Sequence, residues 1–237
     1  MQRALVTGAT SGIGRAIAVA LRRAGHEVLA TGRNQVALQA LAAEAPGIET
    51  LCLDLSDRPA VEMALRDVDI DILINNAGIM PTPGPFGGLA LDEIDHTVEV
   101  NLQSVLWLTR VLLPRLRASK AGHVIFNAST AAHAPGPNFA VYAATKAAIS
   151  AFATSLRAEV AADGVRVTEL VLGRVQTALY ESVLSADARQ SMYADGHSLQ
   201  PSDVAEAVLA VLRLPARAAV TRLDLMPTRP VPPISLK

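Results

Sequence analysis

The feature that most constrains this chain is an alternation that runs almost its full length. Short apolar runs, Ala4 to Val6, Glu27 to Thr31, Thr50 to Leu53, Ile70 to Asn75, His123 to Ala128, Arg166 to Leu172 and Val220 to Met226, are separated by Ala-rich stretches of helical length. The helical stretches fall at Arg15 to Ala24, Gln35 to Ala45, Arg58 to Arg66, Leu91 to Ala118, Ala140 to Ala162 and Pro201 to Leu214. Strands that are apolar along their length must be covered on both faces, and a helix between each pair makes the crossovers that parallel strands need. The expected fold is α/β: one doubly wound, seven-stranded parallel sheet with helices on both faces. No linker or repeat divides the chain, so residues 1–237 read as a single domain. Two segments resist assignment: Ile79 to Gly88, rich in Pro and Gly, and 179–199, polar at its centre. The second is a candidate lid over a substrate, because loops after strand carboxyl ends face the ligand in such sheets.

At the first strand-to-helix junction stands Thr7-Gly8-Ala9-Thr10-Ser11-Gly12-Ile13-Gly14. Gly8 allows a tight turn, Gly12 lets backbone N–H groups approach a pyrophosphate, and Gly14 lets the helix pack closely on the strand. The helix start adds free N–H donors and partial positive charge. This makes the sheet a Rossmann fold with a dinucleotide as its natural ligand.

Composition excludes other classes. A formal net charge of −1, with scattered arginines, provides no footprint for nucleic acid or an anionic membrane surface. No apolar run approaches the roughly twenty residues that span a bilayer. The first strand begins near Met1, leaving no room for a signal peptide, and the single cysteine, Cys52, has no internal disulfide partner. The expectation is a cytoplasmic protein with Cys52 as a core thiol. No metal site is expected.

The chemistry-bearing group is Tyr142 with Lys146, preceded thirteen residues upstream by Ser129. On a helix, positions i and i+4 share a face, so phenol and ammonium enter one pocket. A phenol with an ordinary pKa of about 10 is a poor acid near neutrality. A fixed ammonium beside it is expected to favour the phenolate and lower that value, so that Tyr142 can move a proton.

Together these stretches resemble the short, single-domain branch of the short-chain dehydrogenase/reductase family. The matching pieces are the Thr7 to Gly14 loop, Asp54-Leu55 after the third strand, Asn75-Asn76-Ala77-Gly78 after the fourth, Asn101 in a Val-Asn-Leu context, Ser129 after the fifth, and Tyr142-x-x-x-Lys146. The resemblance implies a catalytic tetrad of Asn101, Ser129, Tyr142 and Lys146. In it Tyr142 is the acid/base, Ser129 bonds the substrate oxygen, Lys146 holds the nicotinamide ribose and lowers the tyrosine pKa, and Asn101 anchors a water. It also implies cofactor contacts from Gly8, Thr10, Ser11, Gly12, Ile13, Gly14, Asp54, Leu55, Asn76, Ala77, Gly78, Gly173, Val175 and Thr177, besides Tyr142 and Lys146. Family members pair through the helix bearing Tyr-x-x-x-Lys, so a homo-oligomer, dimer or tetramer, is expected, with Ala144, Ala148, Phe152 and Leu156 on the outer face.

The second strand ends Thr31-Gly32-Arg33, with no carboxylate to bind a ribose diol and repel a 2′-phosphate. Arg33 has the planar fork that suits a phosphate, so NADP(H) is the expected cofactor over NAD(H). Many NADP enzymes of the family carry a second basic residue in the glycine loop, where this chain has Thr10 and Ser11. After the sixth strand, Leu172-Gly173-Arg174-Val175-Gln176-Thr177 lacks the proline usual there. Candidate substrate contacts are Met80, His133, Phe139 and Arg174, the last suited to a carboxylate and hence to a 3-hydroxy acid. The favoured activity is an NADP-dependent alcohol dehydrogenase or carbonyl reductase acting on a small molecule. An epimerase or dehydratase of the same fold, and a nucleotide-binding regulatory or scaffolding protein without turnover, are the alternatives. The proline-rich tail, 227–237, is expected either to reach a neighbouring subunit or to hang free.

Overall fold

The computed structural model describes residues 1–181, 183–193 and 198–229. Residues 182 and 194–197 of the candidate lid, and most of the proline-rich tail, lie outside the described residues. Among those described, seven strands form one parallel sheet: β1 (Arg3–Thr7), β2 (Glu27–Gly32), β3 (Ile48–Cys52), β4 (Ile72–Asn75), β5 (His123–Ser129), β6 (Arg166–Leu172) and β7 (Arg222–Leu225). Their order is β3-β2-β1-β4-β5-β6-β7, so the direction of winding reverses between β1 and β4. A crevice for a ligand opens at such a switch point.

The helices are α1 (Gly12–Arg23), α2 (Gln35–Glu44), α3 (Arg58–Leu65), α4 (Leu91–Val98), α5 (Ser104–Ala118), α6 (Ala140–Val160), α7 (Ala186–Tyr193) and α8 (Pro201–Leu212). Several starts are written in local chemistry. The Asn34 side chain accepts from the Ala37 N–H (3.0 Å), and Asp57 does the same for Ala60 (3.0 Å). At α8 the Asp203 side chain accepts from the Gln200 N–H (2.8 Å), with Pro201 in the first turn, where its missing N–H has no cost.

Strand residues alternate between two cores. Ala4, Val6, Ile72 and Ile74 pack with Ile17, Leu38, Leu41, Val204 and Val208 of α1, α2 and α8. Leu5, Leu73, Val124, Phe126 and Val167 pack with Val61, Leu65, Leu108, Leu112 and Ile149 of α3, α5 and α6. Period-two alternation under helices on both sides is why each strand reads as continuously apolar. No helix among the described residues is long and apolar enough to cross a membrane.

Three expectations need correction. Cys52 is exposed rather than in the core, because β3 is the sheet's edge strand; its Sγ lies 3.4 Å from the Arg33 carbonyl. The helix expected over Leu91 to Ala118 is interrupted by a π turn, Glu99–Gln103, which contains Asn101. On α6, Phe152 packs edge-on to Phe126 (centroids 5.7 Å apart) and Leu156 is 4% exposed, so both face inward. The exposed stripe of α6 instead carries Ala144, Ala147 and Ala151.

Candidate active site

The switch point opens into a cleft of about 410 Å³ running from the β2 end to the β6 end of the sheet. Its nucleotide end is made of backbone. Gly8 has φ +64°, the left-handed region that other residues adopt at a cost, and a Cβ there would stand 2.9 Å from the Ala77 Cα. At Gly14 a Cβ would overlap the Gly8 carbonyl and the Asn76 amide. The α1 start has no side-chain cap and no acidic residue in its first turn, which leaves its N–H groups to an anion. Gly8, Thr10, Ser11, Gly12 and Ile13 line the cleft, with Asn76, Ala77 and Gly78 opposite them. Gly14 packs behind this lining rather than in it.

The segment after β4 is tied to β1. The Asn76 and Ala77 N–H groups both donate to Thr7 Oγ1 (2.9 and 3.0 Å), and Asn76 Nδ2 donates to the Thr7 carbonyl (2.8 Å). Asn127 Nδ2 of β5 donates to Asn76 Oδ1 (2.7 Å), extending the tie across a further strand. Asn75 faces away and donates to Thr109 Oγ1 (3.3 Å). These bonds set the crevice width before any ligand arrives.

Gly32, Arg33, Asp54 and Leu55 line the far end. A Cβ at position 32 would come within 2.6 Å of Thr10 Cγ2, so a side chain there would have to displace the Thr10 methyl. Burial disfavours the Asp54 carboxylate, but the Ser56 N–H and hydroxyl, with the Arg33 and His96 charges, outweigh it and hold the group below its ordinary range. Asp54 therefore stays ionised beside Arg33.

At the other end the sheet and α6 bring Ser129, Tyr142 and Lys146 together. Tyr142 is 9% exposed and Lys146 is 7% exposed, and the Lys146 ammonium stands 5.8 Å from the phenol ring centroid. Lys146 Nζ donates to the Asn127 carbonyl (2.8 Å), and burial pulls its pKa down to about 8. Burial pushes the Tyr142 phenol up, opposed by its hydrogen bond with Ser129. The sequence expectation of a lowered phenol is thus reversed in the protein alone: desolvation of the phenolate exceeds the help it receives. Ser129 Oγ also accepts from the Ala131 N–H (3.2 Å), which fixes its rotamer.

Asn101 lies behind the cleft wall, 1% exposed. Its Oδ1 accepts from the Ile79 N–H (2.7 Å) and its Nδ2 donates to the Ile79 carbonyl (2.8 Å), so both ends of the amide hold the loop after β4. Met80, Gly173, Arg174, Val175 and Thr177 line the cleft as expected from sequence. His133 and Phe139 do not. His133 Nε2 sits 3.0 Å from Glu169 Oε1, and Phe139 caps the α6 start. Arg174 donates through Nη1 to the Met192 carbonyl of α7 (3.1 Å), joining the segment after β6 to the helix beyond.

Two lining residues were not singled out in the sequence, although Tyr180 falls within the candidate lid. Tyr180 enters beside Arg174, its phenol pushed up by burial and within electrostatic reach of Tyr142. Asn127, two residues before Ser129, supplies the carbonyl that holds Lys146. A motif of spaced side chains could not have pointed to a backbone acceptor.

The arrangement is a dinucleotide crevice ending in a phenol, a hydroxyl and an ammonium. A family model for short chain dehydrogenases matches residues 2–188. The chain belongs to the short-chain dehydrogenase family. It is 43% identical over 226 residues to an uncharacterized short-chain type dehydrogenase/reductase of Sinorhizobium fredii, covering 95% of this chain and 91% of that one. It is 34% identical over 232 residues to the NADP-dependent 3-hydroxy acid dehydrogenase YdfG of Escherichia coli, covering 94% of each. Among solved structures, the closed form of a serine dehydrogenase complexed with NADP+ superposes with a TM-score of 0.92, at 33% identity and over 99% of both chains. As a member of this family the chain is an oxidoreductase with the doubly wound sheet described above.

Proposed function

We propose that the protein is an NADP(H)-dependent dehydrogenase/reductase that interconverts the hydroxyl and carbonyl of a small acid, with Tyr142 as acid/base. The observation that carries this reading is the meeting of Ser129, Tyr142 and Lys146 at one end of the dinucleotide crevice. Bound NADP(H) supplies or accepts the hydride. In reduction, negative charge grows on the substrate oxygen, and the Ser129 and Tyr142 hydroxyls are donors held ready for that oxygen; such donors stabilise the transition state more than the ground state. Tyr142 gives up its proton and Lys146 stabilises the phenolate that forms. The buried setting keeps competing water from this transfer. Asn101 acts at a distance by holding the Ile79 loop.

Arg33, the glycine in place of a carboxylate at position 32 and the NADP named for the two relatives favour NADP(H) over NAD(H). Arg174, in the cleft wall with Tyr180, favours a substrate with a carboxylate next to the reacting carbons. The relatives' names, 3-hydroxy acid dehydrogenase and serine dehydrogenase, describe such substrates. We place the enzyme in the cytoplasm as a homo-oligomer, dimer or tetramer, joined in part through the small-residue face of α6; sedimentation tests the assembly. The deciding experiment follows NADPH and NADH oxidation against a panel of 3-oxo acids and neutral ketones. Faster turnover with NADPH, weakened about tenfold or more in affinity by Arg33→Ala, is expected from the loss of a charge-assisted phosphate contact. Equal use of NADH, or turnover restricted to neutral ketones, sinks the corresponding part of the reading.

A further inference from the structure

Glu169 lines no part of the cleft, yet its buried carboxylate (side chain 5% exposed) touches both elements that carry the reacting groups. It sits in β6 two residues after Val167, on the face that packs against Ile149 and Ala153 of α6. An apolar side chain would serve that packing. A carboxylate there costs several kcal/mol in desolvation unless it is paired and hydrogen-bonded.

Its partners come from two directions. His133 Nε2 lies 3.0 Å from Glu169 Oε1. His133 closes the turn that begins at Ser129: Ser129 Oγ accepts from the Ala131 N–H, the His133 N–H donates to the Thr130 carbonyl (3.0 Å), and the Ala134 N–H donates to the same carbonyl (2.8 Å). From the other side, the Ser150 hydroxyl bonds to Glu169 Oε1 and lies 3.2 Å from the Lys146 carbonyl, one helical turn back. Arg222 of β7 adds a positive charge in electrostatic reach of the carboxylate.

We propose that Glu169, acting through His133 and Ser150, is a positioning residue: it holds the turn after Ser129 and the helical turn of Lys146 in register, and so aligns both with Tyr142. Ser129 arrives at the end of β5, whereas Tyr142 and Lys146 arrive on α6, so their mutual geometry depends on what ties those elements. One carboxylate bonded to both is a direct tie. Misplacing a reacting group by about 1 Å can cost as much as about 10²-fold in rate. This inference rests on the catalytic roles proposed above for Ser129, Tyr142 and Lys146.

The test compares His133→Ala, Ser150→Ala and the conservative His133→Gln, whose amide nitrogen can replace Nε2. Tyrosine labelled with ¹³C at Cζ gives one resonance for each of the three tyrosines, and Tyr142→Phe assigns the site's own. At neutral pH without substrate, the two alanine variants are expected to move the Tyr142 resonance while leaving that of Tyr193 in place, and His133→Gln to restore it. With NADP+ and 3-hydroxypropanoate as probe, the alanine variants are expected to lose about tenfold in kcat, with KM and NADPH affinity unchanged. A lower melting temperature with an unmoved Tyr142 resonance overturns the proposal, since the cluster is then only a fold contact. A resonance moved in the alanine variants, while the wild-type protein turns over no substrate, overturns the catalytic reading and leaves the positioning tie standing.

Discussion

The two ends of the cleft are built by different means. The nucleotide end is backbone: glycines in the β1–α1 loop, the open start of α1, and the Asn76 to Gly78 segment bonded to Thr7. The substrate end is side chains, converging from β5, α6 and the segments after β4 and β6, with α7 fastened on through Arg174 and the Met192 carbonyl. Backbone N–H groups recognise phosphates, which every dinucleotide shares. Side chains on longer loops recognise what differs between substrates, and they can change without disturbing the sheet. Damage at one end should therefore leave the other nearly intact.

The sharpest way to separate the ends is Tyr142→Phe. Turnover should fall by roughly 10²–10⁴-fold, the usual worth of a positioned acid/base, while NADPH affinity stays within a few-fold. Stopped-flow turnover beside a fluorescence titration checks both. A parallel loss of NADPH binding would mean that the ends are coupled.

Gly14→Ala attacks the other end. A methyl there meets the Gly8 carbonyl and the Asn76 amide, and overpacking of about 1–3 kcal/mol corresponds to about 5–150-fold weaker NADPH binding. The kcat at saturating cofactor should change far less than the affinity. Arg174→Met comes next in size: KM for a 3-oxo acid should rise about tenfold, with neutral ketones and NADPH unaffected. An equal rise for ketones would assign Arg174 to holding α7 instead.

The smallest effect is on stability. Lys146 titrates at about 8 in the folded protein, against 10.5 when free. Below the folded value both states are protonated and burial of the charge destabilises the fold in full. Between about 8 and 10.5 the unfolded state binds more protons, so folding is favoured increasingly as pH rises. Lys146→Met without nucleotide should therefore be more stable than the parent near pH 7, with the advantage narrowing above pH 8. Chemical denaturation at three pH values measures it. A constant difference would show that Lys146 keeps an ordinary pKa.

Much of this was legible in the chain. The strand runs, the glycine loop and the Tyr142–Lys146 spacing are local patterns, and local patterns survive translation into structure because each is set by residues within a few positions of one another. What was illegible was set by neighbours distant in sequence. Cys52 looks like a core residue until β3 is found at the sheet edge. Leu156 and Phe152 suit a partner-facing surface until β5 and β6 claim them. His133 looks like a substrate contact until Glu169, thirty-six residues later, bonds it away from the cleft.

By itself the sequence determined the alternating sheet, the place of the glycine loop and the meeting of Tyr142 with Lys146 on one helix face, because periodicity, glycine and i,i+4 spacing act over short range. Only the tertiary structure decided what those side chains experience. Burial raised the Tyr142 phenol and lowered Lys146, and both amide ends of Asn101 were turned onto Ile79. Desolvation depends on everything that packs around a group, and in this fold that shell is assembled from strands and helices separated by most of the chain.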